Sequence, residues 1–187
     1  MVNGWSPSKR NNPYANSGIV VSVDTPDLPE YQKYGPLAGM YFQQSVEALA
    51  FAHGGGRLVA PAQRMVDFVE QKLSNDLPPC SYIPGIRSAS LQDILPPFIT
   101  ARLRAGFRAF GRKMKGYYSN QAVLLATESR TSSPVRIPRD AHSMQHPQVA
   151  GLYPCGEGAG YAGGIASAAM DGERVATAIA EKLRSRV

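Results

Sequence analysis

Apolar positions along this chain fall into two kinds of run: short β-branched stretches bounded by turn formers, and longer segments with a three-to-four-residue period. Residues 17–23, carrying Ile19, Val20, Val21 and Val23, read as a strand. Residues 36–53 carry Leu37, Met40, Tyr41, Val46, Leu49 and Phe51 with mixed helical spacing and stop at Gly54, Gly55 and Gly56, which predicts a helix with a glycine stop. Residues 57–60 predict a short strand. Pro61 then marks the first turn of a helix reaching about Leu73, with Met65, Val66, Phe68 and Val69 inward.

Further along, Ser90 and Asp93 form a weak capping box before Ile94, and Pro96-Pro97 separates that turn from a long helix beginning near Phe98 and closing at Gly116. Ile99, Leu103, Phe107, Phe110 and Met114 line one face of it. Arg102, Arg104, Arg108, Arg112, Lys113 and Lys115 predict a solvated basic face on the same helix. Residues 121–127 read as a buried strand and residues 149–154 as the last one. After them Ile165, Ala168, Ala169, Gly172, Val175, Ala176, Ile179 and Leu183 make one apolar stripe, which predicts a helix packed on a sheet.

With 187 residues, 43% of them hydrophobic and 18% charged, the chain is globular with one or two small cores. The net charge of +6 suits a protein that binds phosphate-bearing cofactors, and equally one that contacts nucleic acid or an acidic membrane. The sequence carries no long basic run, zinc-finger spacing or RNP1 pattern, which argues against nucleic acid as a partner. Cys80 and Cys155 have neither metal-ligand nor disulfide-framework spacing, which points to an intracellular, reducing compartment. There is no secretory signal or membrane-spanning apolar run in the sequence. His142 and His146 sit in a loop whose Pro147 argues against the helix that a metal pair at this spacing needs. Gly54 to Gly56 could cradle phosphate, but no Lys-Ser/Thr pair follows them.

The chemistry concentrates near residues 156–164. Gly158-x-Gly160-x-x-Gly163 matches a dinucleotide fingerprint, which also requires a second strand with an acidic residue about 20 positions on. Here Leu183 to Val187 follow instead, so the motif reads as the last strand and helix of a flavoprotein. A helix N-terminus offers unpaired N–H groups and partial positive charge, and glycines at its mouth admit a ligand close to the backbone. In a flavoprotein the natural occupant is the electron-rich pyrimidine edge of the ring. Glu157 is placed to accept hydrogen bonds from ribityl hydroxyls, or else to cap local N–H groups. The polar cluster Glu128 to Arg136 follows a buried strand, where hydroxyls and guanidinium groups meet a polar ligand at the carboxyl edge of a sheet; an ordinary Ser/Thr turn is the competing reading.

Leu152-Tyr153-Pro154-Cys155-Gly156-Glu157-Gly158-Ala159-Gly160-Tyr161-Ala162-Gly163-Gly164-Ile165, preceded by Thr131-Ser132-Ser133-Pro134-Val135-Arg136-Ile137, resembles the C-terminal part of the uncharacterised FAD-dependent dehydrogenases of the glutathione-reductase-like flavoprotein superfamily. Asn3-Gly4-Trp5-Ser6 and Tyr14-Ala15-Asn16-Ser17 resemble the segment after their central flavin-facing region. The resemblance implies an α/β chain holding part of an FAD/NAD(P)-binding fold, its final strands and C-terminal helix. The N-terminal βαβ unit would be missing, so that the chain is a fragment or one half of a split protein. It implies a strand segment at 1–34, a mostly helical inserted substrate or cap region at 35–118, and the C-terminal part of the FAD-binding domain at 119–187. FAD would be the cofactor, contacted by Gly156, Glu157, Gly158, Ala162, Gly163 and Gly164, with Thr131, Ser132, Ser133 and Arg136 as a second cluster. The implied activity is hydride or electron transfer between flavin and an unknown small-molecule substrate. The implied partner is the N-terminal FAD-binding segment, and the compartment is cytoplasmic or plastid, with no membrane. The alternative is a non-enzymatic basic module that docks on nucleic acid or an acidic partner.

Overall fold

A computed structural model describes residues 1–4 and 7–185. Trp5 and Ser6 of the N-terminal resemblance, and Arg186 and Val187 at the C-terminus, lie outside the described residues. Among the described residues the chain is α/β, with a small three-stranded mixed sheet and four α-helices. It divides into two compact units. The first takes residues 1–30 and 42–129, the second residues 31–41 and 130–187.

In the first unit, strand β1 (Ala60–Arg64) is the central strand, parallel to β2 (Ile86–Ser88) and antiparallel to β3 (Val123–Leu125). Ala62 is the hinge of the register, opposite Ser88 on one side and Leu125 on the other. The strand begins where Pro61 predicts a helix. Proline biases the residue before it toward extended backbone, and Ala60 and Ala62 both bond to the β2 side, through Gly85 O and Ala89 N. Pro61 contributes only its carbonyl, which accepts from the Ala126 N–H, so its missing donor costs the ladder nothing here. The helix expected from Pro61 to Leu73 shrinks to α2 (Met65–Glu70), ended by Gln71 in left-handed backbone at φ 63°.

Helix α1 (Ala38–His53) stops where the glycines predict. The N–H groups of Gly54, Gly55 and Gly56 donate to Ala50, Ala52 and Phe51 carbonyls, so this triplet is a helix cap and not a phosphate cradle. Helix α3 (Pro97–Lys113) lies close to its expected span. Before it, Leu91–Asp93 is a single 3-10 turn in which the buried Ser90 hydroxyl makes no hydrogen bond among the described residues, so the expected side-chain cap is absent. Ala50, Met65, Phe68, Val69, Leu91, Ile94, Phe107 and Ala126 form the core, with Phe68 and Phe107 edge to face at 6.0 Å.

The β-branched run 17–23 forms no strand. Ile19 packs against the core and Ser22 O accepts from Arg102, so the segment is tied by side chains rather than by a ladder. Three cations of the predicted basic face are likewise occupied. Arg102 pairs with Asp27 at 2.9 Å, Arg104 bonds Gln92 and lies over the Phe68 ring, and Arg108 donates to Val69 O. Arg112, Lys113 and Lys115 stay exposed.

The second unit contains no strand among its described residues. The strand expected at 149–154 is a turn, with Gly151 at φ 80° and the His146 ring nitrogen accepting from the N–H groups of Gln148 and Val149. Helix α4 (Ile165–Arg184) forms as predicted, but it packs on loops of its own unit rather than on strands. Asp171 and Val175 are its buried residues, and Ile165 at the head of the predicted stripe is 94% exposed.

Candidate functional site

The glycine loop is built around two positions where side chains are disfavoured. Gly156 has φ 71° and Gly160 has φ 82°, both in the left-handed region that favours glycine. At Gly160 space is short as well, since a Cβ would stand 2.8 Å from Val135 O and 3.1 Å from the Arg136 backbone. Two turn bonds close the loop, Gly160 N–H to Glu157 O and Tyr161 N–H to Gly156 O. The segment carrying the second polar cluster then runs alongside, joined by Ile137 N–H to Ala159 O, Tyr161 Oη to Ile137 O, and Ser133 Oγ to Gly158 O at 3.2 Å.

The structure therefore brings Ser133 and Arg136 to the glycine loop. Ser133 spends its hydroxyl on Val135 O and Gly158 O, whereas Thr131 and Ser132 are exposed. Arg136 is exposed, its guanidinium 4.4 Å from the centre of the Tyr161 ring. Glu157 is half-buried, and its carboxylate has no hydrogen-bond or ion-pair partner among the described residues, so it does not cap local N–H groups. Ala162 and Gly164 are half-buried and Gly163 is exposed. Gly164 stands immediately before α4, whose first intrahelical bond runs from Ala168 N–H to Gly164 O; the N–H groups of Ile165, Ala166 and Ser167 precede any helical acceptor.

Whether this loop suits a flavin can be judged at two of its glycines. Gly158 and Gly163 have ordinary φ, and a Cβ built on either meets nothing within 4 Å. The fold of the unit does not require glycine there, so their faces are open to a ligand. Together with the helix mouth and the unengaged Glu157 carboxylate, this donor set fits a flavin's ribityl chain and ring edge.

Sequence patterns miss the residues that hold the loop. Arg139 and Asp171 form a two-pronged ion pair at 2.6 and 2.9 Å, each side chain 7% exposed. Arg139 also donates to Pro154 O at 2.9 Å, and the Gly156 N–H donates to Asp171 Oδ2 at 2.9 Å. The Arg139 guanidinium lies 3.6 Å from the Tyr161 ring centre. Hydrogen bonds from Arg139 outweigh desolvation and hold the Asp171 carboxyl at about 2. Partial burial of the thiol and the neighbouring Asp171 carboxylate push Cys155 up, so it stays a thiol near neutrality and is a poor nucleophile. The available signal was one acid, Asp171, set three residues after Ala168 and four before Val175 on an otherwise apolar helix face.

Residues 1–131 match the family described as FAD-dependent protein, C-terminal domain-like. The chain belongs to that family. An uncharacterized protein of Clostridium beijerinckii is 44% identical over 182 residues, covering 96% of this chain and 33% of that protein. The chain thus spans about a third of that relative's length. The match to the FAD-dependent family ends within two residues of the first unit's last residue, Ser129, and the glycine loop lies beyond it. No helix among the described residues is long and apolar enough to cross a membrane.

Proposed function

We propose that this chain is the C-terminal part of an FAD-dependent oxidoreductase of the glutathione-reductase-like superfamily. In this reading Gly156, Glu157, Gly158, Ala162, Gly163 and Gly164 meet the ribityl and ring portions of FAD, with Thr131, Ser132, Ser133 and Arg136 beside them. The observation that carries the reading is a glycine-lined helix mouth, open at Gly158 and Gly163, in a chain of an FAD-dependent family. When bound, FAD would take up a hydride or electrons from a small-molecule substrate. The chain's own part is positional and electrostatic. The N–H groups of the first turn of α4 favour an electron-rich ring edge, and Glu157 accepts from hydroxyls.

An N-terminal FAD-binding segment is the partner in this reading, because FAD is held at both ends and these residues serve only the flavin end. Residues 1 to 187 alone are then expected to purify without FAD. The test is Gly163→Val in the complete gene product that carries this chain. Flavin content per protein should fall at least tenfold while the melting temperature of the apoprotein stays unchanged. Full flavin occupancy in that variant would refute the site assignment.

A further inference from the structure

Two ionised side chains, each 7% exposed, are costly to bury and are retained here against that cost. Their remaining bonds are informative. Neither partner serves only the other: Arg139 reaches Pro154 O, and Asp171 accepts from the Gly156 N–H. Residues 154 and 156 are the chain's entry into the glycine loop, and Tyr161, stacked on Arg139 at 3.6 Å, lies within it, three residues before Gly164. Helix α4 supplies the acid from its second turn. One ion pair therefore fixes the entry of the loop against helix α4 with directional bonds that a packed apolar pair would lack, and it carries the Tyr161 ring farther along the loop.

We propose that Arg139 and Asp171 are positioning residues for the cofactor: they hold the loop from Gly156 to Gly164 in the geometry that receives a flavin, without touching it. This rests on the reading of the loop as a flavin site. An apolar pair of similar size would fill the same space and keep the unit folded, yet it would offer no acceptor to Gly156 N–H and no donor to Pro154 O. Loop order and cofactor affinity should then fall together while the fold survives. Arg139→Lys, which keeps the charge but lacks the planar fork that makes the two-pronged contact, should lie between.

Three variants of the complete gene product test this: Arg139→Lys, Asp171→Asn and the double change Arg139→Met with Asp171→Leu. Each is assayed by FAD titration through quenching of flavin fluorescence, by the visible absorption band of bound flavin, and by amide exchange of residues 154–164 in the FAD-free protein. The double variant should keep its melting temperature within a few degrees and exchange those amides at least tenfold faster. It should also bind FAD at least tenfold more weakly, with a shifted or less structured flavin band. Arg139→Lys should recover part of both losses. If the unmodified protein binds no FAD, the flavin reading of the loop fails and the positioning role falls with it. If the unmodified protein binds FAD and the double variant binds it equally, with the same band, the flavin reading stands and the positioning role alone is overturned.

Discussion

The two units solve the problem of staying folded by different means. In the first, Phe68, Phe107, Ile94 and Val69 are 1–2% exposed and interlock with the sheet, and the buried Gln63 amide bridges Lys72 O and Leu91 N–H. In the second, Ala38, Met144, Pro154, Ala159 and Val175 are the buried apolar residues among those described, and the ion pair of Arg139 with Asp171 does the ordering. A unit with little apolar core has a small hydrophobic contribution to stability, so its geometry depends on polar contacts that are directional and sensitive to charge. That is a poor way to build a rigid scaffold. It is a suitable way to build a surface that must present backbone to a ligand.

The sharpest break in the comparison comes from Phe107→Ala. It should destabilise the first unit by about 3–5 kcal/mol, read from chemical denaturation followed at a Val69 methyl by NMR. Next comes Arg139→Met, which leaves the Asp171 carboxylate buried and unpaired and should cost the second unit about 3 kcal/mol. That loss should register at a Val175 methyl and leave the Val69 signal unmoved. Acid should separate the units more gently. Asp171 titrates at about 2 when folded, below its ordinary 3.8, so its stabilisation is complete above roughly pH 4 and is lost as pH falls toward 2. The expected loss is roughly 2 kcal/mol at the Val175 probe. Gly160→Ala, forced into left-handed backbone against Val135 O, should cost about 1–3 kcal/mol. The smallest effect belongs to Gly163→Ala, within about 0.5 kcal/mol in thermal denaturation, because its Cβ meets nothing.

Legibility in the sequence follows the range of the forces involved. Helices α1, α3 and α4 were readable because their period and their Gly and Pro boundaries are local signals. Strand β1 was displaced because its pairing with residues 86–88 and 123–125 decides the backbone at Pro61, and nothing near Pro61 announces those partners. Residues 149–154 look like a strand by apolar content, but Gly151 and the His146 ring turn them back. The glycine loop was found by its composition, whereas its support was not: Arg139 lies far from Asp171 in sequence, and an acid on a helix is ordinary until its burial is seen. The predicted stripe of α4 is real as a pattern, yet Val175 is its buried apolar member while Ile165 and Leu183 remain exposed.

The interleaving of the two units along the chain also has a consequence for synthesis. The first unit has all its residues once Ser129 is made, but residues 31–41, which belong to the second, emerge much earlier. Gly39 meets its neighbour Pro134 only after the intervening stretch has been translated, a wait of roughly 5–20 s at common elongation rates. During that interval Tyr34 and Tyr41, stacked at 4.0 Å in the finished protein, belong to a segment whose companions do not yet exist. The nascent chain thus passes through a stage in which its first unit can fold while residues 31–41 still wait for their companions, and ribosome-bound intermediates halted once residue 129 has cleared the exit tunnel would isolate that stage.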